Sequence, residues 1–322
     1  MRVAILDDYQ DVARDLADWS RLPAGSTLTV FNEPLADGNT GGIDAVAAAL
    51  EPFDALVVMR ERTPFPAALI DRLPNLKLLV TTGARNNAID LTACAARGIP
   101  VSGTGMVGTP TAELTWGLIL ALAKRIPAEE RALRDGRWQT GLTSDLAGKR
   151  LGLVGLGKLG TKVARVGQAF GMEVVAWSPN LTDERAAAAG VTRVEKRALF
   201  ATADVVSVHL VLSERTRGVV GAAEIGAMKP TALFVNTSRA GLVDETALTD
   251  ALRHGHIGGA GIDVFPVEPL PADSLWLSLP NTVLTPHLGY VTRENYAVFY
   301  RDALEDILAW AAGAPVRLLT AG

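Results

Sequence analysis

Three segments of this chain place a residue suited to acid–base or anion chemistry directly after a predicted buried strand. Arg239 follows the strand LFVNT, Glu268 follows the strand GAGIDV, and His287 follows a strand that ends VLT. In an open α/β sheet, ligands gather at the carboxyl ends of the strands, so these side chains can converge on one crevice. A guanidinium can pair bidentately with a carboxylate, and an imidazole can exchange a proton near neutral pH. A carboxylate beside the imidazole would favour its protonated form and fix its tautomer.

Taken singly, each of these residues also has a structural explanation. An arginine after a strand is commonly a solvated charge, and a glutamate commonly lies at the surface. His287 could cap the turn after Pro286. Together they predict hydride transfer coupled to proton transfer, in which Arg239 binds a carboxylate and His287 gives or takes the proton of a carbinol. Periodicity alone leaves their convergence open.

The cofactor for such chemistry is indicated by a glycine-rich turn. Gly155, Gly157 and Gly160 stand in the spacing G-x-G-x-x-G. An apolar run, 151–154, precedes them and an amphipathic run follows, which is the order of strand, turn and helix that dinucleotide binding requires. The first glycine permits a sharp turn, the second lets a pyrophosphate approach the backbone, and the third lets helix and strand pack closely. The free N–H groups at the start of the helix would face the phosphates.

The second strand of this unit, 174–177, ends without the acidic residue that usually holds the adenosine ribose. Ser178 occupies that position, in the run AWSPN. A serine can hydrogen-bond a ribose but does not repel a 2′-phosphate, and Arg185 is the nearest following arginine. The sequence therefore leaves NAD and NADP both open, with NAD favoured because no basic clamp follows at once.

Strands and helices alternate along the chain, which predicts the α/β class with two doubly wound parallel-sheet domains, the second a Rossmann dinucleotide-binding domain. Residues 1–102 plus 289–322 are expected to form the substrate-binding domain, and residues 103–288 the dinucleotide-binding domain. The last helix, 293–312, is assigned to the first domain because its apolar face otherwise lacks a partner. The glycine-rich stretch 102–108 is expected to be a link and a hinge.

A long helix is predicted at 110–125, with apolar residues on most of its faces. A helix of this kind is buried. We expect it to pack across the domain junction or within a subunit interface, and the second option agrees with a homodimer.

Composition excludes several classes of protein. With 322 residues, 48% of them apolar and 20% charged, the chain has the profile of a globular protein of two domains. A net charge of −4 without a basic block gives no indication of nucleic-acid binding. No apolar run reaches about 18 residues, so no membrane span is expected, and the N-terminus is charged too early for a signal peptide. The single cysteine, Cys94, cannot form a disulfide within the chain, which fits a cytoplasmic location. No third ligand accompanies His254 and His256, so no metal is expected.

The segments NTSRAGLVDE, GIDVFPVEPLP and TPHLGY resemble the signature segments of the D-isomer-specific 2-hydroxyacid dehydrogenases. The resemblance extends over nearly the whole chain and includes TTGARNNAIDLTACAARGIPV and TAELTWGLILALAKR. It implies an NAD(P)-dependent oxidoreductase that interconverts 2-oxoacids and D-2-hydroxyacids, usually as a dimer. Family members act on D-lactate, D-glycerate, glyoxylate or hydroxypyruvate, and D-3-phosphoglycerate.

The resemblance also implies roles for the three strand-end residues. Arg239 would bind the substrate carboxylate and help to polarise the carbonyl. His287 would be the acid/base, and Glu268 would be its partner. The two domains would close over the substrate and exclude water.

Further positions carry over by the same resemblance. Gly83 and Ala84 would offer backbone N–H groups to the substrate carboxylate, and Arg60 would lie near the substrate mouth. Asp263 would lie near the nicotinamide carboxamide. Together with Gly157 and Gly160 of the motif, the residues implied in cofactor binding are Gly155, Lys158, Leu159, Ser178, Leu210, Thr237, Ser238, Arg239, Asp263 and His287.

Three positions depart from the family pattern. Ser178 replaces the usual acidic residue, Val211 stands where the family often has proline, and Tyr290 is bulky where small residues are commoner. One alternative is a relative that acts on another small anion, such as formate or phosphite, although formate dehydrogenases carry glutamine at the position of Glu268. The other is a non-catalytic NAD-binding interaction protein of the corepressor type.

Overall fold

The computed structural model describes residues 1–35 and 42–320. The chain divides into two compact units, Met1–Val107 with Thr292–Gly322, and Gly108–Val291. The sequence patterns predict these divisions at 102/103 and 288/289.

Both units consist of strands that alternate with helices. The first unit contains, in chain order, β1 (Arg2–Ile5), α1 (Ala13–Leu16), β2 (Thr27–Val30), α2 (Gly42–Leu50), β3 (Ala55–Val58), α3 (Ala67–Ile70), β4 (Leu78–Thr81), α4 (Leu91–Ala96) and β5 (Val101–Gly103). The second contains α5 (Pro110–Ala123), α6 (Ile126–Arg134), β6 (Arg150–Val154), α7 (Lys158–Ala169), β7 (Glu173–Trp177), α8 (Asp183–Ala187), β8 (Thr192–Arg193), α9 (Lys196–Thr202), β9 (Val205–Val208), α10 (Ala222–Gly226), β10 (Leu233–Asn236), α11 (Glu245–Arg253), β11 (Gly259–Ile262) and β12 (Thr282–Leu284). The last helix, α12 (Arg293–Ala311), returns to the first unit.

The sheet of the first unit is parallel throughout, in the order β2-β1-β3-β4-β5. Its inner strands, ALVV in β3 and LLVT in β4, are buried along their whole length. Continuous apolar strands of this kind are typical of parallel sheets covered on both faces. Helix α12 contacts β4 and α1, and Phe299, Tyr300 and Ile307 on it are buried.

The link predicted at 102–108 is wrong in its first two residues. Ser102 and Gly103 belong to β5 and are buried. The Ser102 hydroxyl donates to the Val316 carbonyl at 2.8 Å, and the Gly103 N–H donates to the Arg317 carbonyl at 3.0 Å. The small polar residues resemble a loop in the sequence, but the C-terminal segment supplies their hydrogen-bond partners.

The sheet of the second unit has seven parallel strands in the order β12-β11-β10-β9-β6-β7-β8. From β6 the chain builds outward through β7 and β8, then returns to the other side of β6 and continues through β9 to β12. This reversal is the topological switch point of a Rossmann fold, and ligands of such sheets bind outside the carboxyl ends of the strands beside it. The predicted fold class is thereby confirmed.

The buried helix α5 packs on the sheet of its own unit, and its location at a domain junction or within a subunit interface stays a prediction. It contacts α7, β10 and β11. Trp116, Leu118 and Ile119 share one core with Leu151 and Val163, among others. Helix α5 is apolar on several faces because α7 lies on one side of it and the sheet on another.

Candidate active site

The glycine turn lies at the carboxyl end of the central strand β6. Gly155 has a φ of +110°, which L side chains rarely adopt, and a Cβ there would come within 2.7 Å of the His209 carbonyl oxygen. A Cβ on Gly160 would overlap the carbonyl oxygen of Gly155, whereas the space around Gly157 is open. The first and third glycines therefore allow close packing, and the second leaves room for a ligand. This combination fits the pyrophosphate of a dinucleotide.

Helix α7 begins at Lys158, directly after Gly157, and no side chain caps its first turn. The N–H groups of that turn and the helix dipole together create an anion-binding end. Lys158 is exposed and Leu159 is half-buried. The start of α7 is therefore suited to a diphosphate.

His209 supports this turn from the loop that directly follows the adjacent strand β9. Its N–H donates to the Val154 carbonyl at 2.8 Å, and its Nε2 lies 2.9 Å from Ser207 Oγ. Burial lowers the pKa of His209 to about 4, so the ring is neutral at physiological pH. The apolar pattern VVSVHLV predicted a strand that includes His209, but β9 ends at Val208 and His209 begins the following loop.

His287 and Glu268 form a hydrogen-bonded pair. The Nδ1 atom of His287 lies 2.6 Å from Glu268 Oε2, and Glu268 Oε1 accepts the Phe265 N–H at 2.8 Å. Partial burial would raise the pKa of Glu268, but the hydrogen bond and charge of His287 lower it below its ordinary value. Glu268 is therefore ionised at neutral pH and accepts the Nδ1 proton. Among residues 1–35 and 42–320, the second ring nitrogen, Nε2, has no hydrogen-bond partner and can exchange a proton with a ligand.

Asp263 holds the segment that carries His287. Its buried carboxylate accepts hydrogen bonds from Thr285 Oγ1 at 2.6 Å and from the N–H groups of Leu288 at 2.7 Å and Gly289 at 2.9 Å. These donors lie on both sides of His287, whose φ of 54° is in the left-handed region. Such a conformation persists in a non-glycine residue where the surroundings enforce it. Burial raises the pKa of Asp263, and the three hydrogen bonds act in the opposite direction.

Asn236 holds the loop that carries Arg239. Its Oδ1 accepts the Ser238 N–H at 3.0 Å, and its Nδ2 donates to the Arg239 carbonyl at 3.1 Å. Arg239 Nη1 donates to the Ser238 carbonyl at 2.8 Å, and Ser238 Oγ donates to the Leu210 carbonyl at 2.8 Å. Asn236 was not predicted as a site residue. A buried amide at the end of an apolar strand is the sequence signal that points to it.

Two further side chains restrict these loops. The ring of Tyr290 is buried and meets the His287 imidazole edge-on, with 5.4 Å between the ring centroids and an interplanar angle of 74°. Thr237 Oγ1 lies 2.8 Å from Thr115 Oγ1 of helix α5. Both contacts limit the orientations that the site loops can adopt.

The strand order brings the predicted catalytic residues to one edge of the sheet. Strands β10, β11 and β12 are neighbours, and Arg239, Glu268 and His287 follow them in that order. Glu268 and His287 are in direct contact, and the Arg239 charge contributes to the lowered pKa of Glu268. This edge combines a guanidinium with an imidazole that is hydrogen-bonded to a carboxylate.

A cavity of about 480 Å³ is formed by the loops after β7 and β9. Its volume is in the range of small-molecule and cofactor sites. Ser178 and Leu210, both predicted to contact the cofactor, belong to its lining. The lining residues are Ser178, Pro179, Asn180, Leu210, Val211, Ser213, Arg215 and Thr216.

In the first unit, Arg60, Gly83 and Ala84 lie close together around the end of β4. Arg60 Nη1 donates to the Thr82 carbonyl at 3.2 Å, and a Cβ on Gly83 would overlap the Arg60 guanidinium. The Gly83 N–H donates to Thr104 Oγ1 at 2.7 Å. Ala84 is exposed, and no acceptor for its N–H occurs among the described residues.

The described part of the chain contains no group of three or more His, Cys, Asp or Glu side chains placed to hold a metal ion. Within the same residues, no helix has the length and apolar character needed to cross a bilayer.

Residues 116–289 match the family model for the D-isomer specific 2-hydroxyacid dehydrogenase, NAD binding domain. D-3-phosphoglycerate dehydrogenase of Archaeoglobus fulgidus is 36% identical over 264 residues, which are 81% of this chain and 50% of the relative. A glyoxylate reductase of Korarchaeum cryptofilum is 34% identical over 267 residues, covering 81% of this chain and 80% of the relative. The chain thus spans about half the length of the D-3-phosphoglycerate dehydrogenases that it matches.

Among solved structures, phosphoglycerate oxidoreductase from Vibrio cholerae O395 superimposes with a TM-score of 0.91 at 40% identity. The match covers 98% of this chain and 100% of that one.

Proposed function

The chain belongs to the D-isomer specific 2-hydroxyacid dehydrogenase family, and we propose that it reduces a 2-oxoacid to the D-2-hydroxyacid with NADH or NADPH. The 2.6 Å hydrogen bond between His287 Nδ1 and Glu268 Oε2 carries the proposal. It leaves the opposite ring nitrogen to exchange a proton, at the sheet edge that also bears Arg239. The glycine turn of the same unit suits the cofactor.

Arg239 would bind and stabilise negative charge, and His287 would transfer the proton. The Arg239 guanidinium pairs with the substrate carboxylate and stabilises the negative charge that develops on the carbonyl oxygen. His287 gives its Nε2 proton to that oxygen, forming the hydroxyl of the product and a neutral imidazole. A bound nicotinamide supplies the hydride when the cofactor is reduced.

Glu268 would determine which ring nitrogen of His287 transfers the proton. Because its carboxylate is ionised, it accepts the Nδ1 proton of His287 both before and after the transfer, so that Nε2 is the nitrogen that exchanges a proton. Reduction therefore requires the protonated imidazole and should slow at high pH, whereas oxidation of the hydroxyacid should show the opposite trend.

The remaining site residues are proposed as binding groups. In the first unit, the Ala84 N–H is assigned to the substrate carboxylate, because the Gly83 N–H already donates to Thr104, and Arg60 is assigned to the substrate. The cofactor would contact the glycine turn with Lys158 and Leu159, the cavity residues Ser178 and Leu210, and Thr237, Ser238 and Asp263.

A homodimer is the proposed assembly. Besides helix α5, which is proposed for the contact, the segment after α6 exposes Trp138 at 76% and Leu142 at 97%, and Leu133 of α6 is also exposed. Exposed apolar side chains that form a contiguous patch mark protein–protein contact surfaces, and these three residues lie close together in the chain. Replacing Trp138 and Leu142 by Ser should convert a dimer to a monomer in light scattering after size exclusion; a monomeric wild type would refute the assembly.

The activity is tested by following NADH and NADPH oxidation with glyoxylate, hydroxypyruvate, pyruvate and a bulkier 2-oxoacid. We expect turnover with at least one of them. His287→Ala should lower kcat by about 100-fold or more, the usual contribution of a general acid, while NADH affinity changes far less. His254→Ala is the matched control, since His254 is exposed and its side chain, within the described part of the chain, bonds only the Asp250 carbonyl.

Two results would contradict the proposal. Unchanged turnover in His287→Ala would remove the assigned acid. Cofactor binding without turnover of any 2-oxoacid would favour the non-catalytic reading or another small anion as substrate.

A further inference from the structure

Two arginines meet at the turn that follows β7. Arg215 Nη2 donates to the Asn180 side-chain oxygen at 2.8 Å, and Arg185 Nη1 lies 3.4 Å from the Asn180 carbonyl oxygen. Arg215 and Asn180 both line the 480 Å³ cavity with Ser178. Arg215 comes from the loop after β9, so the sequence near Ser178 does not reveal it.

The position of Arg215 is fixed from both loops. The Leu181 N–H donates to the Ser178 carbonyl at 3.2 Å, closing a turn with Pro179 at its second position, where proline is favoured. On the other side, Thr216 Oγ1 donates to the Val211 carbonyl at 2.7 Å and accepts the Ser213 N–H at 2.8 Å. Both loops therefore have internal hydrogen bonds that order them without a ligand.

The charge at this end of the cavity is positive. Ser178 provides a hydroxyl where a carboxylate would repel a phosphate. Of the nearby acids, Glu214 pairs with Arg217 at 3.5 Å and Asp183 pairs with Arg193 at 3.6 Å. In the described ranges, no carboxylate pairs with Arg215, whose guanidinium is exposed at the cavity.

We propose that Arg215, oriented by Asn180, binds the 2′-phosphate of NADP(H) in this cavity, so that the chain prefers NADP(H) to NAD(H). The guanidinium presents parallel N–H donors that match phosphate geometry, and the Ser178 hydroxyl donates to the same group. In the Rossmann fold the adenosine ribose lies at the end of this strand, where a nearby arginine can accommodate the extra phosphate. The assignment rests on the dinucleotide site of the proposed function and adds the cofactor preference.

The test measures binding of two cofactor fragments by calorimetry, adenosine 2′,5′-bisphosphate and adenosine 5′-monophosphate. The wild type should bind the bisphosphate about 10- to 100-fold more tightly, the effect of a hydrogen bond to a charged group. Arg215→Ala should reduce bisphosphate affinity to that of the monophosphate and leave monophosphate affinity unchanged. Arg217→Ala is the matched control, because it removes a neighbouring exposed arginine that does not line the cavity.

Ser178→Asp provides a second variant, in which the added carboxylate should abolish the preference for the bisphosphate and favour the monophosphate. Equal binding of both fragments by the wild type, an unchanged preference in Arg215→Ala, or binding of neither fragment would each overturn the assignment. If the dehydrogenase proposal failed instead, the preference for the bisphosphate fragment would persist while no 2-oxoacid is turned over.

Discussion

Replacing Asp263 by Asn tests whether this carboxylate sets the position of His287. Asp263 Oδ1 accepts Thr285 Oγ1 and the Leu288 N–H, while Oδ2 accepts the Gly289 N–H. An asparagine retains one acceptor and puts an NH₂ group at the other place. The less costly orientation keeps oxygen at the Oδ1 position, so that the NH₂ group faces the Gly289 N–H.

The cost follows from these contacts. A buried donor left without an acceptor costs about 1–3 kcal/mol, and each of the two remaining hydrogen bonds loses roughly 1 kcal/mol when its acceptor is no longer charged. Removal of a buried charge offsets part of the loss, because burial raises the pKa of Asp263. We expect a net destabilisation of about 2–4 kcal/mol, a Tm decrease on the order of 5–10 °C for a unit of this size.

Catalysis should respond more strongly than stability. Since the Gly289 N–H would lose its acceptor and the two bonds that remain, from Thr285 and Leu288, would be weaker, the left-handed φ of His287 would be held less firmly. The imidazole should therefore move, and a displacement of about 1 Å can cost roughly 100-fold in rate. Thermal melts, NADH binding by fluorescence, and kcat with a turned-over 2-oxoacid would be measured together.

Asp204→Asn is the control for this experiment. The Asp204 carboxylate also accepts two hydrogen bonds, one from the Arg150 backbone N–H at 2.8 Å and one from the Lys229 ammonium group at 2.8 Å. It precedes β9, at the end of the sheet opposite to the site. Asp204→Asn should lower stability without lowering kcat; a wild-type Tm and kcat in Asp263→Asn would refute the reasoning.

Three further predictions follow from the site. Gly160→Ala should destabilise the protein and abolish NADH binding, because the added Cβ would overlap the backbone of Gly155. Gly117→Ala is its control: Gly117 lies on the exposed side of α5 with open space around it, and the substitution should stabilise the protein by about 0.5–1 kcal/mol. Melts and NADH titration distinguish the two. The lowered pKa of Glu268 makes its stabilising contribution full above the ordinary value of 4.5 and lost as pH falls through the lowered value. Urea unfolding of wild type and Glu268→Gln should therefore differ at pH 7 and converge in acid; a constant difference would contradict this. Gly83→Ala should displace the Arg60 guanidinium and raise KM for the 2-oxoacid more than it lowers kcat, and unchanged steady-state constants would argue against a substrate role for Arg60.

The fold class could be predicted because apolar runs such as 151–154 and 55–58 become strands buried on both faces. The residues at which these strands end could not be predicted. The apolar residues Leu210 and Val211 extend the pattern of β9 beyond Val208, although they belong to the loop that lines the cavity. An apolar residue can be buried in the core or can line a ligand cavity, and the periodicity of the sequence does not distinguish these two locations.

The candidate site was predictable in residue type and not in its supporting contacts. Glu268 and His287 were expected to pair, and they lie in hydrogen-bond contact. The three donors to Asp263, the two bonds of Asn236 and the link from Arg215 to Asn180 were not expected. Hydrogen-bond geometry depends on loop conformations that join residues distant in the chain, and one sequence does not specify those conformations.

The separation of the first unit into two chain segments has a consequence for synthesis on the ribosome. Residues 108–291 form a continuous segment with its own core, so they can fold as soon as they emerge. Residues 1–107 lack α12, which buries Phe299 and Tyr300 against their sheet side, until the chain has been translated past residue 311. Although the N-terminal segment is synthesised first, its apolar surface stays exposed for longer than that of residues 108–291. It is therefore the part of the nascent chain with the greatest need for a chaperone.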